Sequence, residues 1–141
     1  MSSEDHNREV TRRFNAEVWG EGNAELADEL VAADLVEHTP FPAPMPGLEG
    51  HKQVLAQFRS AFPNLKVTVD NVVAEGNLTM LRWSGVGTHS GVMMGIAPTE
   101  KTVHISGMDM LRFEDGKIKE RWAEINVFGL MQQLGVIPGA N

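Results

Sequence analysis

Cysteine is absent from the 141 residues of the chain, which excludes a disulfide framework and any thiolate chemistry, nucleophilic or metal-binding. Positive charge is scarce as well: 12 Lys and Arg stand against 19 Asp and Glu, a formal charge of −7. The basic residues are scattered, so nothing in the sequence attracts a phosphate backbone or an anionic membrane, and nucleic acid and membrane are not expected as partners. No apolar run reaches the length of a bilayer span, and no repeat recurs at solenoid periods. Phosphate loops, dinucleotide fingerprints and nucleophile elbows are missing too, since Gly85-Val86-Gly87 lacks a third glycine and a following helix. The opening residues Met-Ser-Ser-Glu-Asp-His-Asn-Arg-Glu have no signal-peptide core, so a cytoplasmic location is expected.

The residues present have the size of one domain, 1–141, with 42% hydrophobic residues to form one core. Val10, Phe14 and Val18 recur at helical spacing from about Asp5 to Trp19, and Gly20 and Gly22 stop the run. Asn23 is placed to cap a second helix over Ala24–Ala33, with Leu26, Leu30 and Val31 as its stripe and Glu25 at its positive end. After His38, Pro40, Pro42, Pro44 and Pro46 forbid helix and central strand alike, which predicts a stiff extended loop. Its Phe41 and Met45 either cover the core or form a lip over a cavity. Val54, Phe58 and Phe62 mark a third helix from His51 to Phe62, ended by Pro63-Asn64.

The period then changes to two. Leu65, Val67 and Val69 alternate with polar residues, Glu75-Gly76-Asn77 turns the chain, and Leu78–Thr88 forms another strand. His89–Glu100, rich in Gly and Met, predicts a loose lobe, and 128–135 a short helix ended by Gly135. Between them Lys101–Phe113 and Lys117–Val127 flank Asp115-Gly116, a type I′ hairpin signature. Centring the turn there opposes Glu114 to Lys117 and predicts the pairs Asp109–Trp122, Gly107–Glu124 and Ile105–Asn126, all on one side, unless a bulge swaps the faces. That side carries Asp109, Glu124 and Asn126 around a tryptophan and reads as a pocket wall, because a plain core face would not hold so many polar groups. The other side, with Met108, Met110, Ala123 and Ile125, is too apolar for a wet sheet back and predicts a homodimer contact. Helices first and a strand meander afterwards predict an α+β domain with three N-terminal helices packed on an antiparallel sheet.

Several motifs resemble those of the SnoaL-like polyketide cyclases, a family of the nuclear-transport-factor-2-like superfamily. They are His38 before the proline-rich loop, Pro46-Gly47-Leu48-Glu49-Gly50, Ala61-Phe62-Pro63-Asn64, Gly87-Thr88-His89-Ser90-Gly91 with Pro98-Thr99, Asp115-Gly116-Lys117-Ile118, and Glu120-x-Trp122 running into Gly129-Leu130-x-Gln132-Gln133-Leu134-Gly135. They span nearly the whole chain in the family's order. The resemblance implies a cone-shaped α+β barrel, a curved antiparallel sheet around three helices with an apolar pocket at its open end, and dimers through the outer face.

The resemblance also implies an aspartate acid/base four residues after the last-strand tryptophan. Here that position is Asn126, and an amide cannot take a proton from carbon at neutral pH. Asp109 is then the candidate replacement acid or base, with a carboxylate tied up by an Arg or by backbone amides as the plainer reading. Glu124 is the second candidate, and Asn126 itself is suited to bond a substrate carbonyl or enolate oxygen. His38 and His89 match the family's pocket region, where each would bond a substrate oxygen or move a proton, against the plainer reading of a histidine satisfied by backbone. Trp83, Trp122, Phe14 and Phe58 are core aromatics that would also line a pocket. No histidine pair has metal-ligand spacing, so no metal and no cofactor are expected. The sequence therefore predicts a cofactor-independent enzyme acting on a small apolar, polyketide-like ketone or ester, of the aldol-cyclase type. A hydroxylase-type relative acting on aromatic polyketides and a non-catalytic binder of an apolar molecule are the alternatives.

Overall fold

The computed structural model describes residues 2–39, 41 and 43–137. Pro40 and Pro42, half of the proline series on which the stiff loop is predicted, lie outside the described residues.

Helix α1 (Ser3–Arg13) starts at a capping box, in which Ser2 Oγ accepts from the Asp5 N–H and the Asp5 carboxylate accepts from the Ser2 N–H. The run continues, as its apolar spacing predicts, but residues Phe14–Trp19 are a π-helix, and the Gly20 N–H bonds the Asn15 carbonyl five residues back. The wider turn buries Phe14, Asn15 and Val18 together. Arg59 holds its end in place by donating to the carbonyls of Trp19, Gly20 and Leu65.

Helix α2 (Ala24–Leu30), capped by Asn23 Oδ1 on the Leu26 N–H, ends three residues before the predicted limit. Val31 is already extended and opens strand β1 (Val31–His38), which the sequence reading missed. Its register is interrupted between Val31 and Val36, and a carboxylate, Glu37, takes a half-buried place, so no clean alternation was there to be read. Helix α3 (Gly47–Ala61) begins four residues earlier than predicted. The preceding loop lies directly on it: a Cβ at Gly50 would sit 1.7 Å from the Met45 carbonyl oxygen, so only glycine fits there.

Strands β2 (Lys66–Glu75), β3 (Leu78–Thr88), β4 (Thr102–Glu114) and β5 (Lys117–Ile125) come next, and helix α4 (Val127–Leu134) closes the described chain, with Gly135 in the left-handed conformation as its C-cap. The sheet order is β1-β5-β4-β3-β2, antiparallel throughout except that β1 runs parallel to β5. Val10, Phe14, Leu30 and Phe58 share one buried cluster with Leu81, Ile105, Leu111 and Ile118 of the sheet, and Val54 is buried beside them. This is the packing of helices on a sheet that the three helical stripes and the period-two strands predict, and the α+β cone that the resemblance implies.

The hairpin departs from prediction by one residue. Asp115 and Gly116 both have positive φ, 53° and 78°, as a type I′ turn requires. Glu114 does face Lys117, and Phe113 faces Ile118, but the next pair is Arg112 with Glu120. Lys119 is the extra residue of a β-bulge. Beyond it Met110 pairs with Trp122, Asp109 with Ala123, Met108 with Glu124 and Gly107 with Ile125. The predicted pairs Asp109–Trp122 and Gly107–Glu124 are therefore corrected: Asp109, Arg121, Ala123 and Ile125 share the inner side, and Trp122 and Glu124 join Met108 and Met110 on the outer one. Ala123 and Ile125 accordingly leave the predicted dimer patch, and Trp122 enters it.

Candidate active site

The bulge places a guanidinium inside the cone. Arg121 is 4% exposed, and its Nε and Nη2 lie 3.1 and 3.0 Å from Asp109 Oδ2. Its Nη1 donates to Glu37 Oε1, supplied by the parallel neighbour β1. Asp109, with no exposure, also accepts from Trp83 Nε1 at 3.1 Å. Glu37 Oε1 is 3.3 Å from His51 Nδ1, and His51 Nε2 accepts from Trp19 Nε1 at 3.2 Å. That last bond fixes the neutral tautomer, so His51 Nδ1 carries the hydrogen and donates to Glu37. The rings of Phe14 and Trp19 lie 5.6 and 5.3 Å from the guanidinium carbon, within cation–π range.

Two carboxylates thus face one guanidinium and one neutral imidazole in a buried cluster. Burial would raise the Glu37 carboxyl, but Arg121 and the His51 hydrogen bond outweigh it and hold it below its ordinary value. Burial is the main reason that His51 is lowered, although Glu37 opposes that shift. Arg121 is raised: burial alone would lower it, and Asp109 and Glu37 more than offset that. Both His51 and Glu37 are depressed in the folded chain, so each contributes stability at high pH and loses it on acidification. Stability is expected to be level above about pH 6.5, the reference value of His51. It should fall below that pH, and fall again below the reference value of 4.5 for Glu37. Urea midpoints measured across pH 4–8 check this, and His51→Gln should remove the first decline.

One face of this cluster opens on a pocket. It is lined by Asn15, Trp19, Thr39, Phe41, Val54, Phe58, Leu65, Val67, Trp83, Arg121 and Ile125, a wall that is apolar except at Asn15, Thr39 and Arg121. The cavity is narrow, about 20 Å³, and about 470 Å³ when its open mouth is counted. Phe41 stands at this pocket, so the proline-rich loop does contribute a lip. Met45 points elsewhere and accepts a hydrogen bond from Gln53.

The predicted site residues divide accordingly. Trp83 and Phe58 line the pocket, and Phe14 lies beneath Arg121. Asp109 stands behind the wall, with one oxygen on Trp83 and the other on Arg121. Trp122 and Glu124 line a separate depression on the outer face, with Met80, Met108, Met110 and Asn126; the bulge turned them away from the cone. Asn126 caps α4, its Oδ1 accepting from the Gly129 N–H at 2.9 Å. His38 stacks on Trp122 at 5.2 Å and meets Glu120 Oε2 at 2.8 Å on the outer side. His89 is fully buried but serves the 90–100 lobe, its Nδ1 accepting from the Thr99 N–H at 3.2 Å beside the Phe62 ring. Sequence reasoning missed Glu37, His51, Arg121 and Asn15. The first two are visible only once β1 is recognised as a strand beside β5, and the third only once the bulge is. Among the described residues no three Asp, Glu or His side chains come together as metal ligands do, and no helix is long and apolar enough to cross a membrane.

The sequence profile of the SnoaL-like polyketide cyclases matches residues 9–134. The chain belongs to this family. Solved structures agree with the profile. A proposed polyketide cyclase from Acidithiobacillus ferrooxidans is 28% identical over 96% of this chain and 99% of its own, with a TM-score of 0.82. IdmH, a proposed polyketide cyclase from Streptomyces antibioticus, is 29% identical over 96% and 99%, with a TM-score of 0.78. AclR, a proposed hydroxylase from Streptomyces galilaeus, is 25% identical over 98% and 86%, with a TM-score of 0.85. No curated protein matches the sequence. This SnoaL-like chain carries Arg121, Asp109 and Glu37 as a cluster of charges inside its cone.

Proposed function

We propose that the chain is a cofactor-independent acid/base enzyme that closes a ring in a small apolar, polyketide-like ketone or ester. The observation that carries the reading is the guanidinium of Arg121 at the wall of a mostly apolar pocket, backed by two buried carboxylates. A carbonyl oxygen directed at Arg121 gains a fixed positive charge in a dry site, where an enolate is stabilised far more than in water. Of the two carboxylates, Glu37 is the one with an unengaged oxygen to take a proton, although Arg121 and His51 make it a weaker base than an ordinary carboxylate. Its Oε2 accepts no hydrogen bond from the described residues, and its strand continues to Thr39 at the pocket, whereas both oxygens of Asp109 are engaged. Glu37 takes a proton from the carbon next to the carbonyl, the electron pair of that C–H bond moves to the carbonyl oxygen, and the resulting enolate carbon bonds to a second carbonyl carbon of the same molecule. The alkoxide so formed takes the proton back from Glu37. Asp109 holds Arg121 in place throughout and acts as a positioning residue.

Deuterium uptake next to the carbonyl of 2-tetralone in D₂O tests the proton-abstraction step without knowledge of the natural substrate. Glu37→Gln should lower the exchange rate about 10²-fold, the usual worth of a positioned proton-transfer group. Exchange that survives Glu37→Gln but is lost in Asp109→Asn would assign the base to Asp109, and no exchange by the unaltered protein would remove the enzyme reading in favour of a binder. The likeness to AclR favours a second reading, proton transfer during hydroxylation of an aromatic polyketide by dioxygen, with an external two-electron reductant and water as the second product. A product heavier by one oxygen marks that reading, and one of unchanged mass or lighter by one water marks the cyclase.

A further inference from the structure

The π-helical turn does something the family chemistry does not require: it carries an amide into the pocket. Asn15 follows Phe14 in the widened turn, and both are buried, Asn15 at 3% exposure. Its main chain is satisfied, the carbonyl taking the Gly20 N–H. Its side chain is not: Oδ1 is buried and receives no hydrogen bond from any described residue. An amide oxygen so placed carries a desolvation cost that a donor from outside the chain would offset. Single π-turns inside α-helices recur at functional sites, and Asn15 lines the same pocket as Arg121, opposite an apolar aromatic wall.

We infer that Asn15 is a specificity residue that reads a hydroxyl on the ligand, so that the pocket selects apolar ring compounds bearing a phenolic or enolic O–H. The inference rests on the pocket being the ligand site of the proposed function, but not on any residue acting as a base. The ligand hydroxyl donates to Asn15 Oδ1, and the ring body lies among Trp19, Phe41, Phe58 and Trp83. A methyl ether of the same ring cannot donate, so it leaves the amide oxygen unpaired, and discrimination of this kind is steeper than discrimination by apolar contact. Replacement by a carboxylate keeps an acceptor at this place, because both of its oxygens accept.

The test is a binding comparison between 4-ethylphenol and its methyl ether, followed through the indole N–H signal of Trp83 at the pocket wall. The unaltered protein should bind the phenol about tenfold or more tightly than the ether. Asn15→Leu, of similar volume and without polar atoms, should bind the two alike while keeping its affinity for the ether, and Asn15→Asp should retain the preference. Equal binding of the two probes by the unaltered protein, or a preference that survives Asn15→Leu, would overturn the inference. Failure of both probes to shift the Trp83 signal would overturn it together with the pocket reading. If the phenol preference is lost in Asn15→Leu and the 2-tetralone exchange is absent from the unaltered protein, the acid/base reading falls and the specificity role of Asn15 stands.

Discussion

Replacing Arg121 with methionine is expected to cost the fold about 3–5 kcal/mol, the usual penalty for removing one partner of a buried ion pair. The loss is large because two carboxylates depend on this one cation. Asp109 has no solvent exposure, and the side chain of Glu37 is 12% exposed, so neither can regain water without opening the cone. Against a typical total stability of about 5–15 kcal/mol, the variant should unfold roughly 10 °C or more below the unaltered protein, by the usual scaling for a domain of this size. The effect belongs to stranded charge rather than to lost volume, and a combined variant separates the two. Arg121→Met with Glu37→Gln and Asp109→Asn should recover much of the stability, because neutral isosteres remove the uncompensated charges. Calorimetric melting of both variants checks this. A single variant within about 1 kcal/mol of the unaltered protein would mean that the carboxylates are hydrated or protonated, and the electrostatic account of the pocket would fall with it.

The same cluster explains why the fold was legible in the sequence and the site was not. Helix stripes such as Val10/Phe14/Val18 and alternations such as Leu65/Val67/Val69 repeat over many residues, so an error at one position does not change the period. Turn chemistry is equally local: Asp115-Gly116 predicts its own positive φ angles. A site on a strand has no such redundancy, because its side is set by parity, and one extra residue reverses parity for everything beyond it. Lys119 carries no signal as a bulge residue, being neither glycine nor flanked by one, and after it Arg121, which simple pairing from the turn would place outside, lies inside. The π-turn is silent in the same way, since the spacing Phe14/Val18 suits either helix and only the burial of Asn15 distinguishes them. Strand β1 was hidden because its inner side ends in Glu37, whose inward place makes sense only with Arg121 beside it. The proposed site residues that the sequence did not bring out are therefore coupled: the bulge alone would give Arg121 only Asp109 as a partner, and β1 alone would leave Glu37 buried with no cation beside it.

A matched pair of single-residue deletions tests the bulge directly. Deleting Lys119 leaves Ile118 inward, Glu120 outward and Arg121 inward, which is ordinary alternation, so the register beyond it is unchanged and the strand is only straightened. The variant loses the ion pair of Lys119 with Asp34, whose side chain is 75% exposed. Exposed pairs of this kind are worth about 1 kcal/mol or less, and it should fold with nearly native stability. Deleting Trp122 instead keeps Arg121 inward but reverses the rest of the strand, sending Ala123 out and bringing Glu124 to the inner place opposite Asp109. A third carboxylate then enters a cluster with one guanidinium, at a cost of several kcal/mol for an unpaired buried charge. That is comparable to the whole stability of a domain, so this variant is expected not to fold at room temperature. Far-ultraviolet circular dichroism and urea unfolding compare the two. If the Lys119 deletion unfolds the protein while the Trp122 deletion is tolerated, the strand has no bulge, Trp122 and Glu124 face the cone as simple pairing from the turn would place them, and the pocket must be rebuilt around them.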